Sequence, residues 1–248
     1  MNVSEDRLLN GAVRLRQGEH GYRAGMDAAL LAAACDTAPG ETVIEAGCGA
    51  GAVMLSAAVR RPGVRIVGLE RDPEAAALAE GNIALNGLGE RLSVRVADIE
   101  HPATGVALPE FGKFDASLAN PPYFDDASRL RAPALAKRGA FLAEAGLGVW
   151  IDFLSRSVRE GGTLTLVHRA DRLADILTLI ERRAGSIQVR PIHPFADAPA
   201  GRVLVRAVRS GRAPLRLLPA LTLHPREGTK HTAEAEAILR GEADLAWS

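Results

Sequence analysis

Aromatic residues are scarce. They make up 4% of the 248-residue chain, so any core must be filled by Ala, Leu and Val rather than by rings. Cysteine is scarcer: Cys35 and Cys48 alone, which excludes a disulfide-rich secreted scaffold and a four-cysteine zinc site. The histidines (20, 101, 168, 193, 224 and 231) are scattered, with none spaced beside other ligands, so no metal is expected. No apolar run approaches the roughly 20 residues that span a bilayer. The first eleven residues carry Glu5 and Asp6 and lack the apolar stretch of a secretory signal. A soluble cytoplasmic protein is the expectation. Disorder is excluded by the 47% of hydrophobic residues, and the length suits one large domain or one domain with a small appendage.

Net charge is also missing: 30 basic residues balance 30 acidic ones. The balance hides an asymmetry. Twelve arginines lie between Arg156 and Arg216 against five acids, so that stretch is +7 and the remainder −7. Guanidinium forks match phosphate oxygens, which points to a nucleic-acid surface. The blander reading is a chain that prefers Arg throughout, with 27 Arg to 3 Lys.

Short β-branched runs alternate with Ala/Leu-rich ones. Thr42–Ala46, Val64–Leu69, Leu92–Ala97, Phe114–Ala119 and Thr163–His168 read as strands. Ala52–Arg60, Pro73–Leu85, Val149–Arg159 (ended by Gly161-Gly162) and Arg172–Arg183 read as helices between them. Asp72 followed by Pro73 is a helix start. Ile187–Ile192 and Val203–Val208 have only a Pro-rich loop between them and should pair antiparallel. Asp27–Cys35 reads as an extra leading helix, and Ala233–Arg240 as a short one in the tail. The pattern predicts an α/β fold: a mostly parallel sheet with helices on both faces. One domain is expected over 1–248, with a covering segment at 1–40, a core at 41–210 and a tail at 211–248.

Val43 to Gly51 (VIEAGCGAG) places glycines where the first of these strands ends and a helix begins. Gly47, Gly49 and Gly51 let the backbone turn tightly and approach a ligand. Gly47-x-Gly49-x-x-Ala52 also fits the dinucleotide pattern, with a pyrophosphate on the helix N-terminus. Glu70, 19 residues after Gly51, would accept from ribose hydroxyls in either case, with Arg71 beside it. Two features favour S-adenosylmethionine over NAD. Glu45 would crowd a pyrophosphate but suits the amino and sulfonium charges of a methyl donor. Asp98, ending the next strand, would accept from an adenine amine; alone it is equally a turn cap.

Asn120-Pro121-Pro122-Tyr123 follows the Phe114–Ala119 strand. Two prolines remove two backbone donors and stiffen the loop. The Asn120 side-chain oxygen and the Pro121 carbonyl can then hold both hydrogens of one planar NH₂ group. Tyr123 offers a flat surface on which the base bearing that amine stacks. Asn120, Pro121 and Tyr123 are the expected catalytic group. Ahead of the leading helix, Tyr22 and Arg23 sit on a loop able to fold over the donor, and Asp27 is a plausible helix cap.

With these residues assembled, the chain resembles the Rossmann-like, S-adenosylmethionine-dependent N-methyltransferases that carry Asn-Pro-Pro-Tyr. More closely, it resembles the bacterial tRNA adenine-N6 methyltransferases of valine tRNA, which act at the anticodon-adjacent adenosine. The resemblance rests on Asp6–Leu9, Gln17, Tyr22–Ala28, Glu45–Gly51, Asn120–Tyr123, Ile192–Pro194, Arg202–Val205, Leu221–His224 and the run from Thr232 to Leu239. It implies a seven-stranded domain with an antiparallel last hairpin and the donor site at the strands' carboxyl ends. It implies further that Gln17, Tyr22, Arg23, Glu45, Gly47, Gly49, Gly51, Glu70, Arg71, Asp98 and Asn120 bind S-adenosylmethionine, and that tRNA docks on the Arg-rich side. The motif is shared with enzymes acting on DNA adenine, rRNA guanine and a protein glutamine amide, so it specifies the amine and not its carrier. The glutamine enzymes are implied to carry a separate amino-terminal helical domain, for which the stretch before Thr42 is short. A non-catalytic RNA-binding module and an NAD oxidoreductase are the remaining alternatives. One departure is Lys230-His231-Thr232, where the resemblance leads one to expect an aromatic before Thr.

Overall fold

The computed structural model describes residues 3–18, 24–100, 112–122 and 146–247. Its centre is one sheet. Strands β3 (Thr42–Ala46), β4 (Arg65–Glu70), β5 (Leu92–Val96), β6 (Phe114–Ala119), β7 (Val158–Arg169), β8 (Ala184–His193) and β9 (Arg202–Arg209) run in the order β5-β4-β3-β6-β7-β9-β8. Neighbours from β5 to β7 are parallel; β9 is antiparallel to both β7 and β8. Because β4 leaves β3 on one side and β6 flanks it on the other, the order reverses at β3. The carboxyl end of β3 is therefore the crevice where doubly wound sheets bind ligands.

Alternation along each strand builds two cores. Val43, Ile66, Val94, Ala116, Leu118 and Val167 face one side, packed by α1 (Met26–Ala33), α2 (Ala52–Arg60), α3 (Pro73–Leu85) and α6 (Ala233–Arg240). Ile44, Val67, Leu69, Leu164 and Leu166 face the other, packed by α4 (146–157) and α5 (Leu173–Ile180). A strand buried on both faces reads as a near-continuous apolar run, which is why β3 and β6 were legible.

The structure departs from the expected fold in four places. First, Val3–Leu8 and Val13–Gly18 form an unexpected antiparallel hairpin, β1–β2. Second, the sheet has nine strands, not seven: the tail adds β10 (Arg216–Leu217) and β11 (Leu221–Thr222) along the outer edge of β8. Third, Gly161-Gly162 does not end α4. The helix stops at 157 and the glycines lie inside β7, next to a register shift on β6. A Cβ on Gly162 would come within 2.8 Å of the Asp115 carbonyl, so the two strands approach closely there. Fourth, Asp27 does not cap α1; Gly25 is the N-cap, and Asp27 accepts from Arg202 at 3.0 Å.

The tail is sewn to the body rather than appended. Trp247 Nε1 donates to the Ala34 carbonyl (2.8 Å) and Leu245 N–H to that of Ala33 (3.0 Å), satisfying carbonyls that the end of α1 leaves open. Arg60 and Arg190, both largely buried, donate to the carbonyls of Ala243 and Pro219. No described helix is long and apolar enough to cross a membrane.

Candidate active site

A cavity of about 460 Å³ opens at the carboxyl ends of β3, β4 and β6. The glycine turn forms its floor. Gly47 has φ +67°, and a Cβ there would lie 2.5 Å from the Trp150 ring, so both the turn and the close approach of Trp150 require glycine. Gly51, the left-handed N-cap of α2, supplies no side-chain cap. The first residues of α2, Ala52 and Val53, border the cavity.

Glu45, one residue before the end of β3, lies inside this wall and is 2% exposed. It accepts the Met54 backbone N–H, while its Oε2 has no partner. Burial pushes its pKa from the ordinary 4.5 up to about 8, against the Met54 hydrogen bond and with help from the Glu70 charge. Glu70 ends β4; its two oxygens accept from Gly49 N–H (2.9 Å) and Asp72 N–H (3.0 Å). Those bonds hold the glycine turn against β4, and each oxygen retains acceptor capacity. Asp98 accepts from Glu100 N–H at 2.9 Å. Gln17, at the end of β2, spends both ends of its amide locally, on Asp6 (2.6 Å) and Ala24 N–H (2.8 Å). Cys48 lines the cavity, but burial and the Glu45 and Glu70 charges push its thiol far above the range where it would react.

Of the expected site residues, the cavity gathers Gln17, Glu45, Gly47, Gly49, Glu70, Arg71, Asp98 and Asn120. Gly51 lies behind the turn and Pro121 is buried below the rim, neither on the lining. Tyr22, Arg23 and Tyr123 lie outside the described residues. Sequence reasoning missed Trp150, Asp72, Ala28, Ile99 and Pro122 as lining residues. Asp72 had been read as the α3 cap, which it is: it accepts from Glu74 N–H at 2.9 Å.

The charge of this lining decides between the two cofactors. Glu70, Asp72, Asp98 and Glu100 surround the cavity, beside the protonatable Glu45, with Arg71 as the single cation among the described lining residues. Such a wall repels a pyrophosphate and attracts a ligand bearing amino and sulfonium charges. The unpartnered Glu45 oxygen is a waiting acceptor for a cation. The residues present fit S-adenosylmethionine.

Residues 37–153 match the family described as "Methyltransferase domain". That match covers just under half of the chain, and the sheet and its helices have the fold of the Rossmann-like methyltransferases. The chain is 33% identical over 153 residues to a tRNA1(Val) (adenine(37)-N6)-methyltransferase of Actinobacillus succinogenes, covering 60% of this chain and 62% of that protein. It is 25% identical over 167 residues to a release factor glutamine methyltransferase of Chlorobaculum tepidum, covering 64% and 56%. The chain thus spans less than two thirds of either relative's length. In structure it is similar to a predicted O-methyltransferase from Agrobacterium tumefaciens, with a TM-score of 0.72, 26% identity, and coverage of 88% of this chain and 98% of that one.

The Arg-rich stretch looks different once folded. Eight of its twelve arginines pair with carboxylates, several from outside the stretch: Arg156 and Arg183 with Asp152, Arg159 with Asp115, Arg202 with Asp27, Arg206 with Asp36. The others are Arg169 with Asp171, Arg172 with Asp175 and Arg209 with Glu160. Much of the +7 is neutralised in place. A group of three or more metal-capable side chains is absent among the described residues.

Proposed function

We propose that this protein is a methyltransferase that transfers a methyl group from S-adenosylmethionine to a planar exocyclic amine, adenine N6 in a tRNA. The observation that carries the reading is the position of Asn120. The β6 strand delivers it to the cavity rim, backed by Pro121 and Pro122 and facing the same space as Glu45. When bound, S-adenosylmethionine supplies a methyl group already activated by a sulfonium. The chain's own residues then need only position and electrostatics. Glu45 and the surrounding acids hold the donor's positive end. The Asn120 side-chain oxygen, on the lining, accepts an amine hydrogen and aims the nitrogen lone pair into the cavity. No strong base is needed, since the nitrogen sheds its proton readily once methylated. The valine-tRNA relative supports adenine as the carrier of the amine.

A second reading is a protein glutamine amide, favoured by the release-factor relative; the two groups present the same flat NH₂. Mass spectrometry of tRNA nucleosides from cells lacking the protein separates them. The proposal expects loss of N6-methyladenosine, restored by the wild-type chain and not by Asn120→Ala. Unchanged N6-methyladenosine together with a lost methylglutamine would favour the second reading.

A further inference from the structure

Asn82 and Asn86 are four residues apart on α3, hence one turn apart on the same helix face. Both address β2. The inner edge of that strand pairs with β1; the backbone groups of Arg14 and Arg16 point from its outer edge to α3. Asn86 Oδ1 accepts from Arg14 N–H (2.9 Å), and its Nδ2 donates to the Arg14 carbonyl (2.7 Å). Asn82 repeats the pattern with Arg16, at 2.8 Å in each direction. Each carboxamide thus imitates a peptide unit of a neighbouring strand. The spacing permits it: four helical residues rise about 6 Å, close to the roughly 6.8 Å of two strand residues.

Asn82 differs from Asn86 in one respect. Its second amide hydrogen goes to the Ala50 carbonyl at 2.9 Å, inside the glycine turn. Asn82 is 0% exposed, and both its amide hydrogens are used. It therefore ties together two walls of the cavity: the end of β2, which brings Gln17 and Gly18 to the lining, and the turn that brings Gly47, Gly49 and Ala50. We infer that Asn82 is a positioning residue for the methyl donor, fixing the amino-terminal hairpin and the glycine turn at the separation the donor requires. Asn86 only docks the hairpin. The inference rests on the reading of this cavity as the donor site.

The test measures the dissociation constant of S-adenosylhomocysteine by calorimetry, with thermal stability measured in parallel. Asn82→Ala should weaken binding tenfold or more. Asn86→Ala, which also loosens the hairpin, should leave it within about threefold. Equal affinities for wild type and Asn82→Ala, or equal losses in both variants, would overturn the positioning role. Hydrogen exchange on the wild-type chain reads the same coupling should Asn82→Ala not fold. Ligand should slow exchange at the Arg16 and Gly49 amides together, and more than at Arg14; an Arg16 amide indifferent to ligand would overturn the inference. Failure of the wild-type chain to bind S-adenosylhomocysteine at all would instead refute the donor-site reading.

Discussion

Glu45 gives the most quantitative test of the donor site. Its folded pKa of about 8 leaves it mostly protonated at pH 7. A cation placed against the unpartnered oxygen favours the carboxylate, so binding must expel the proton. At pH 7 the expected release is about 0.9 proton per donor bound. Affinity should tighten roughly tenfold per pH unit between pH 6 and 8 and level off above. Calorimetry of S-adenosylmethionine at pH 7, in two buffers of different ionisation enthalpy, reads the proton directly. The donor's own amino group titrates nearby, so Glu45→Gln, which cannot release a proton, is the reference. That variant should bind at least about tenfold more weakly and show no release assignable to the protein. Its stability should move the opposite way. A carboxyl whose pKa is raised on folding, here from 4.5 to about 8, stabilises the fold fully below pH 4.5 and loses that stability as pH rises to 8. The cost near pH 7 is at most about 3 kcal/mol, which Glu45→Gln removes. The variant should therefore melt higher than wild type at pH 7 while binding worse. Identical heats in both buffers, with affinity flat from pH 6 to 8, would refute the reasoning.

Four further outcomes are expected. Asn120→Ala should keep donor affinity within about threefold and lower turnover at least about 100-fold, as a group that orients the nucleophile should; full turnover contradicts the role. Gly47→Ala puts a Cβ 2.5 Å from the Trp150 ring at a left-handed φ, so denaturant titration should show a loss of about 1–3 kcal/mol, and donor binding should fall with it. Trp247→Ala removes a buried ring and its bond to Ala34, and should cost about 3–5 kcal/mol in the same titration; under 1 kcal/mol would show the tail to be loosely held. Burial, with Arg172 beside it, pulls the His168 pKa down to about 4. The protein should lose stability as pH falls from 6.5 toward 4, and His168→Gln should flatten melting temperatures across that window.

Much of the central sheet could be read from the chain because β3, β4 and β6 are apolar runs bounded by turns, and α3 announces its start with Asp72-Pro73. The hairpin was harder. Val13, Leu15 and Gln17 are buried while Arg14 and Arg16 are exposed, a period-two signal, but one short run flanked by charges in β1 competes poorly with stronger patterns. Glycine position located the turn, and Glu45 fell on the cavity wall beside it, because both are fixed by backbone close to them in sequence. Trp150 escaped because periodicity gives a helix and not the direction in which one ring points. The pairing of the arginines was hidden for a related reason: partners such as Asp27 and Asp36 lie far away in the chain and become neighbours only through the fold. Asn82 looked like an ordinary helix residue, since its partners belong to a strand and a turn that meet only in three dimensions.

The central claim is that Asn120 presents a nucleobase amine to the donor. The direct measurement incubates the purified chain with tritiated S-adenosylmethionine and, separately, total tRNA and total protein, then identifies the labelled residue by mass spectrometry. The account predicts label in tRNA as N6-methyladenosine, lost with Asn120→Ala. Label confined to protein, or to an oxygen of any substrate, would contradict it.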